Sequence, residues 1–575
     1  MAYFLKKTKP SKKGEYLQIY ESKYIPGKGC RNHSYKVLGY VSDLIDKGIK
    51  DPIKYAKDII KKLNDDSDNS IPQIGDYSSS KNVGYFLLKA MIDNLNVDND
   101  LQLMTLRKQF KFKISDFIRS MIYSQIINPG SKLKAFEKVM PNIYDIQLFS
   151  YDQILDGIEY IGSDYQKYIE LFNYHIEKIY PRDTKKVYFD CTNYYFEIDL
   201  EDELRKKGPS KENRKCPIIS QALLLDSNQI PLGMNLFPGN ESEKPYLRKS
   251  IEDLKERFNV VGKVIQVADK GLNCAKNIYA AVREASDGYI FSKSVHGKNL
   301  SNIEKEWVLT ENDYNIFHDV ISKDGKLKYR YKETIDKFEY SFTEDGRKQT
   351  FTVKEKRIVT YNPSLAKKQK KEILKEVEKA KTKLSIKSAS REEFGDCIKY
   401  LSFESKDKTG NKIKINPSLN MDKINEDLSY AGYNLLVTSE LDKNAQEIYE
   451  IYHGLWRIEE SFRIMKTYLE ARPVYLQKEE SIYGHFLICY LSLVVLRLLE
   501  LKVFNDELSS SELISFIREY NVTETPEKNY INNAIRSETY LKIKSTLGLS
   551  KLGNLYLTKK NLDNLLNDVD LNTSF

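Results

Sequence analysis

Residues Lys185–Ile198 read KKVYFDCTNYYFEI, and residues Lys263–Lys270 read KVIQVADK. Each is a short apolar run rich in β-branched or aromatic residues, the composition of a strand packed on at least one face. The first ends its apolar run at Asp190, with polar Thr192 close behind. The second stops at Asp269, with basic Lys270 next. Taken alone, an aspartate at a strand end is most often a turn former or a helix cap. Two such ends in one sheet carry more weight, because open α/β sheets place ligand sites at the carboxyl ends of their strands.

Working outward, IISQALLLD (Ile218–Asp226), QIPLGMNLF (Gln229–Phe237) and DGYIFSKS (Asp287–Ser294) read as further strands. KPYLRKSIEDLKERF (Lys244–Phe258) and KGLNCAKNIYAAVREA (Lys270–Ala285) carry helical spacing. Strands followed by strand–helix alternation predict a mixed α/β layer with a partly antiparallel sheet. Beyond residue 298 the pattern breaks. From Glu306 to Tyr361 the chain alternates, with hairpin signals at Asp324-Gly325 and Asp345-Gly346. A lysine-rich helix follows near Leu365–Leu384, YNLLVTSE (Tyr433–Glu440) returns to strand, and Lys443–Leu469 is strongly helical.

Upstream, Val83–Ile179 repeats its apolar residues at three and four, broken by Pro129-Gly130. YLQIYESKY and SYKVLGYV flank Pro26-Gly27 and predict an opening hairpin, followed by a helix over Pro52–Leu63 and a polar linker, Asp65–Ser70. The last eighty or so residues continue a helical texture. The reading therefore divides the chain into a basic hairpin and helix (1–75), a helical domain (76–182), a first core part (183–298), a β-rich insertion (299–430), a second core part (431–500) and a helical tail (501–575).

YHGLWRIEESFRIMK (Tyr452–Lys466) supplies a third carboxylate. Tyr452, Glu459 and Lys466 are spaced by sevens, a step that drifts about 20° around a helix, so they share one stripe. Ile451, Leu455, Ile458, Phe462 and Met465 flank that stripe, so the helix is largely packed. Two aspartates on strands and a glutamate on a helix suit two-metal phosphoryl transfer. Hard divalent ions take oxygen ligands and can activate one oxygen while stabilising another.

Composition agrees with a nucleic-acid enzyme. The 575 residues carry 91 Lys/Arg against 82 Asp/Glu, a net +9. Residues 1–36 hold nine basic and two acidic residues (+7), and Lys367–Lys383 holds eight and three (+5). Such clusters gain from counterion release on a polyanion, although lysine runs are also ordinary solvated faces. Six scattered cysteines without a CxxC pair exclude a zinc ribbon and suit a reducing cytoplasm. No HExxH or GxxxxGK[ST] pattern occurs, so ATP use is not expected. The greasiest run, Phe486–Leu496, is broken by Ser492, followed by Arg497, and too short for a bilayer. No membrane partner is expected.

These pieces together resemble the DDE transposases of bacterial insertion sequences, in the group with a Tyr-x2-Arg-x3-Glu-x6-Lys helix signature and a β-rich insertion before the Glu. The resemblance rests on FDCTNYYFE, LFPGNESE (Leu236–Glu243), VADKG, WRIEESFRIMK, ARPVYL (Ala471–Leu476) and GHFLICYL (Gly484–Leu491). It implies an RNase H-like core, a mixed sheet flanked by helices, interrupted by the insertion. It also implies cut-and-paste transposition with Mg2+ or Mn2+, two ions being the expected number, held by Asp190, Asp269 and Glu459. The implied partners are double-stranded DNA, as terminal inverted repeats and target, and a second copy of the chain in a synaptic homodimer. The implied setting is a bacterial cytoplasm at the nucleoid.

Tyr452 and Lys466 match the signature, while Leu455 stands at its Arg position. Arg457 or Arg463 would then take that phosphate contact. Lys270 stands where an arginine often follows the second Asp. Trp456 could stack on an unpaired base, although core packing is the plainer reading. Two rival readings stay open: a catalytically inactive DNA-binding descendant, and a nuclease on the same fold that never joins strands.

Overall fold

The computed structural model describes residues 2–11, 14–25, 29–68, 79–106, 110–212, 215–257, 260, 262–295, 300–311, 316–384, 397–404, 416–525, 527–569 and 571. Two compact units divide the chain. One comprises Met1–Ser80, Val522–Asn533 and Asn554–Leu562, and the other comprises the remainder.

The larger unit is organised by a nine-stranded sheet. Its strands in chain order are β1 (Lys186–Tyr195), β2 (Ile218–Leu225), β3 (Pro231–Pro238), β4 (Ile265–Ala268), β5 (Gly288–Lys293), β6 (His318–Ile321), β7 (Leu327–Glu344), β8 (Arg347–Tyr361) and β9 (Tyr433–Thr438). Their order across the sheet is β6-β7-β8-β9-β5-β4-β1-β2-β3. Strands β1, β4 and β5 run parallel, and every other pairing is antiparallel. All eight residues of β2 are buried, as an interior strand covered on both faces requires.

Alternation along β1 assigns its side chains. Val187, Phe189 and Cys191 enter the core with Leu247, Ile251 and Leu254 of the helix Lys244–Arg257. Tyr188, Asp190, Thr192 and Tyr194 therefore face the other way. The strand does not end at Asp190, as its apolar run suggests, because antiparallel pairing with β2 carries it to Tyr195. What ends there is the parallel pairing with β4, whose last partners are Phe189 and Ala268.

Between residues 299 and 430, β6, β7 and β8 join the core sheet, while Leu401–Glu404 and Asn416–Leu419 pair with each other as a separate two-stranded sheet. The base of the long β7–β8 hairpin is stitched into the core, with Lys356–Tyr361 paired to Tyr433–Thr438. Its turn is Asp345-Gly346, both at positive φ, as the sequence signal predicts. Within the stretch expected to alternate, Asn302–Leu309 is instead a helix. Ser301 and Glu304 form a reciprocal capping box at its start, a local signal that outranks the alternation. The lysine-rich helix runs Pro363–Lys383.

Helices over Phe86–Leu95, Asp98–Met104, Ile114–Ile127, Tyr151–Gly162 and Tyr165–Ile179 form the array expected upstream of the sheet. Against several of them packs Glu479–Leu498, in which seventeen residues from Ser481 to Leu498 are buried, Arg497 included. Among the described residues no helix is long and apolar enough to cross a membrane.

In the smaller unit, the expected hairpin is present as Gly14–Ile25 and Gly29–Tyr40, and a further antiparallel strand, Ala2–Ser11, extends it to three. The first strand was hidden because KKTKPSKK carries charge where alternation would show. The helix Pro52–Asp68 reaches through the start of the expected linker, and Asn64 hydrogen-bonds both ways to the Tyr3 backbone, at 2.8 and 3.1 Å. The Pro26-Gly27 turn, Lys12, Lys13, and the end of the linker at Asn69 and Ser70 lie outside the described residues. The tail is not wholly helical either. It contains strands Asn521–Glu524, Asn529–Asn532 and Tyr556–Thr558, which pair with one another and are too short to show a period in sequence.

Candidate active site

Phe189 and Ala268 are partners on adjacent parallel strands about 4.8 Å apart, so Asp190 and Asp269 both follow directly after the last parallel pair. The helix Trp456–Arg463 packs on β1 and presents Glu459. Its approach depends on Gly454. A Cβ there would lie 2.7 Å from the Tyr188 ring, so a side chain would push the helix off the face that carries Asp190.

The expected helical stripe is real but not continuous. Ala445–His453 ends at Gly454, i→i+3 bonds tighten the chain at Leu455 and Ile458, and Ile464–Tyr468 is a π turn. Tyr452 donates a hydrogen bond to Asp269 Oδ1 at 3.0 Å. Burial, with the Asp269 charge second, holds its hydroxyl far above the usual phenol range. Glu459 opens to solvent, yet burial of its carboxyl and the Asp269 charge raise it above its ordinary range, with Lys211 opposing. Lys466 lies further along the face, with Nζ 5.2 Å from the Tyr194 ring centroid and 3.4 Å from Glu212. Burial lowers its ammonium, partly offset by Glu212.

Burial pushes the Asp190 carboxyl up to about 6, against Lys211 and a 2.8 Å bond from the Cys191 N–H. The charges of Glu243 and Asp269 push it in the same direction as burial. Lys211 is the local counter-charge, 3.9 Å from Asp190 and 3.5 Å from Glu243, and it also donates to the Cys191 carbonyl. Burial opposes its charge, but Asp190 and Glu243 carry it above the usual lysine range. The neighbouring Glu212 pairs with Arg472 and Lys466. Lys211 and Glu212 carried no signal as a site, because their segment shows neither period nor apolar run, and Arg472 sits in the ARPVYL motif without a role assigned to it. Glu243 sits in the LFPGNESE motif but had no role assigned.

The site thus gathers hard oxygen donors, with burial and then neighbouring carboxylates raising Asp190 and Glu459, and a lysine ammonium set among them. Carboxylate oxygens such as those of Asp190, Asp269 and Glu459 are the donor type that a hard divalent cation takes. Among the described residues no three His, Cys, Asp or Glu side chains form a group placed to hold a metal ion.

The remaining candidates separate clearly. Arg457 is buried and bound to Glu500 at 2.9 Å, Glu460 at 3.2 Å and Asp506, so it has no free face for a phosphate. Leu455 is buried too. Arg463 is exposed and pairs with Glu460 at 3.3 Å. Lys270 is exposed directly after Asp269. Trp456 is not core: it is 51% exposed, with the Arg457 guanidinium 4.1 Å from its ring centroid.

The mixed sheet thus sets two aspartates just after its last parallel pair, and a helix packed on β1 carries a glutamate within electrostatic reach of Asp269. The transposase DDE domain model matches residues 196–495, a stretch that includes Asp269 and Glu459 and begins six residues after Asp190. The chain belongs to the transposase DDE domain family. No curated protein matches it. A solved piggyBac transposase, in a synaptic complex with hairpin DNA, is similar at 9% identity and a TM-score of 0.36, covering 85% of this chain and 84% of that one.

Proposed function

We propose that this protein is the transposase of a bacterial insertion sequence, binding the terminal inverted repeats of its element and performing metal-dependent cleavage and strand transfer by a cut-and-paste route. The observation that carries the reading is the placement of Asp190 and Asp269 directly after the last parallel pair, Phe189 and Ala268, with the Asp269 charge acting on Glu459. The strand order β3-β2-β1-β4-β5, with β1, β4 and β5 parallel, supports an RNase H-like core.

In this reading Asp190, Asp269 and Glu459 hold Mg2+ or Mn2+, two ions being the expected number. When bound, the metal would activate the attacking oxygen and stabilise the leaving one. The chain's own residues orient the site. Tyr452 holds Asp269 through its hydroxyl, and Lys211 balances Asp190 until DNA and metal arrive. Lys466, Lys270 and Arg463 contact the phosphate backbone, and Trp456 offers an exposed ring for an unpaired base. Two copies act on paired ends in a cytoplasmic, nucleoid-associated complex.

Labelled end DNA incubated with the protein, target plasmid and Mg2+ or Mn2+ tests the proposal. Joined products are expected. Cleavage without joining would favour the nuclease reading, and end binding without cleavage the inactive descendant.

A further inference from the structure

Away from the carboxylates, a cavity of about 560 Å3 lies between Gly130–Lys134, Tyr151, Glu470–Leu476 and His485. This volume is within the range of small-molecule sites. Its floor contains an unusual charge. Lys132 is 5% exposed, and its Nζ meets Gln125 Oε1 at 3.4 Å and His485 Nδ1 at 3.1 Å, with no carboxylate paired to it among the described residues.

Neither neighbour supplies negative charge. Gln125 spends its amide N–H on the Leu469 carbonyl at 2.6 Å. His485 has Nε2 3.2 Å from the Ala471 carbonyl, which makes Nε2 the donor and leaves Nδ1 to accept from Lys132. Burial, with Lys132 second, drops the His485 imidazole to about 3, so it is neutral near pH 7. Burial also pulls the Lys132 ammonium down to about 8, which still leaves it mostly charged near pH 7. An ammonium buried without a counter-ion is costly, and proteins normally pair such a charge.

The cavity supplies what an anion would need. Lys134 and Arg472 add two further cations, against one acid, Glu470. Lys134 is held on the Pro129 carbonyl at 2.7 Å, and Arg472 on Glu212. The remaining wall is apolar or aromatic: Leu133, Tyr151, Val474, Tyr475 and Leu476, with Leu133 and Tyr475 exposed at the rim. A small inorganic anion would use the cations and leave those walls idle. A phosphate attached to a planar ring system uses both.

We infer that this cavity is a binding site for a nucleoside monophosphate unit, with its phosphate on Lys132 and its base against the Tyr151–Tyr475 side. The unit comes either from a free nucleotide or from the phosphorylated end of a DNA strand.

The test uses the full chain without metal or transposon-end DNA, so its outcome is independent of the proposed activity. Calorimetric titration with dAMP, inorganic phosphate and deoxyadenosine should give saturable binding in the order dAMP, then phosphate, then deoxyadenosine. Lys132→Met, close in shape and without charge, should weaken dAMP by about tenfold or more, the loss expected for a charged hydrogen bond. Tyr475→Ala, an exposed and structurally safe change, should weaken dAMP and leave inorganic phosphate unaltered. A 5′-phosphorylated single strand that binds tighter than dAMP and loses that gain in Lys132→Met assigns the site to a strand end. Equal affinity assigns it to free nucleotide. Absence of binding by all four probes, or dAMP binding indifferent to both substitutions, overturns the inference.

Discussion

Adjacent residues of one helix, Glu459 and Glu460, live in opposite electrostatic worlds. Glu460 joins a closed network with Arg457, Arg463 and Arg497, and Glu500 binds both Arg457 and Arg497. Arg497 is completely buried, and its charge is answered by Glu500 at 2.7 Å and Glu460 at 2.9 Å. On the other face, Glu459, Asp269 and Asp190 repel one another, with Lys211 as partial compensation. One face uses charge to hold the helix in place, and the other leaves charge unbalanced where a cation and a phosphate would relieve it. Unpaired carboxylates are a cost to folding, and functional sites are where such costs persist.

The strongest way to break this contrast is to remove the unbalanced charges one at a time. Asp190→Asn, Asp269→Asn and Glu459→Gln should each lower cleavage by roughly three orders of magnitude, since a catalytic metal supplies several kcal/mol. End binding, read by gel shift, should stay near wild type. Full cleavage in any one variant removes that residue from the site.

The opposite face should respond in stability. Arg497→Met leaves Glu500 buried with one arginine fewer, and should cost about 3–5 kcal/mol in chemical denaturation. A change of a few tenths would mean that the network is ornamental.

Asp190 sharpens the comparison through pH. Burial lifts its folded carboxyl to about 6, above the ordinary 3.8 of an exposed aspartate, so the folded state binds the extra proton between those values. Wild-type stability attributable to this group is therefore full below pH 3.8 and is lost as pH rises through 6. Asp190→Asn should be more stable than wild type at pH 7, by at most about 3 kcal/mol, with the gap closing as pH falls from 6 toward 4. A gap independent of pH would locate the effect in packing instead.

Lys466 should show the smallest effect. Its bond to Glu212 is long and its ammonium is destabilised by burial, so it is poorly satisfied without a phosphate. Lys466→Ala should weaken end binding by about tenfold and lower cleavage in proportion, the value of one charged hydrogen bond. Unchanged binding would make it a packing lysine over Tyr194.

Both aspartates, the glutamate and the strands and helix that carry them could be read directly from the sequence. Strand-like apolar runs and three-to-four spacing are local signals, and Asp190, Asp269 and Glu459 stand out against apolar flanks. Arg457 and Arg463, by contrast, look equivalent in sequence, and burial alone separated the structural arginine from the exposed one. Trp456 went against the plainer expectation for the same reason, since one helical step decides between core and solvent. Lys211, Glu212 and Arg472 reach the site from irregular segments, where no period announces them. The β7–β8 hairpin read as an insertion because alternation records that a strand is half-buried but not which strand it pairs with. By itself, then, the sequence determined most of the local elements and singled out three carboxylates as candidates. Only the tertiary structure decided which charges are balanced and which are not, because charge balance depends on neighbours brought in from other elements, such as Arg497 beside Glu460 and Asp269 beside Glu459.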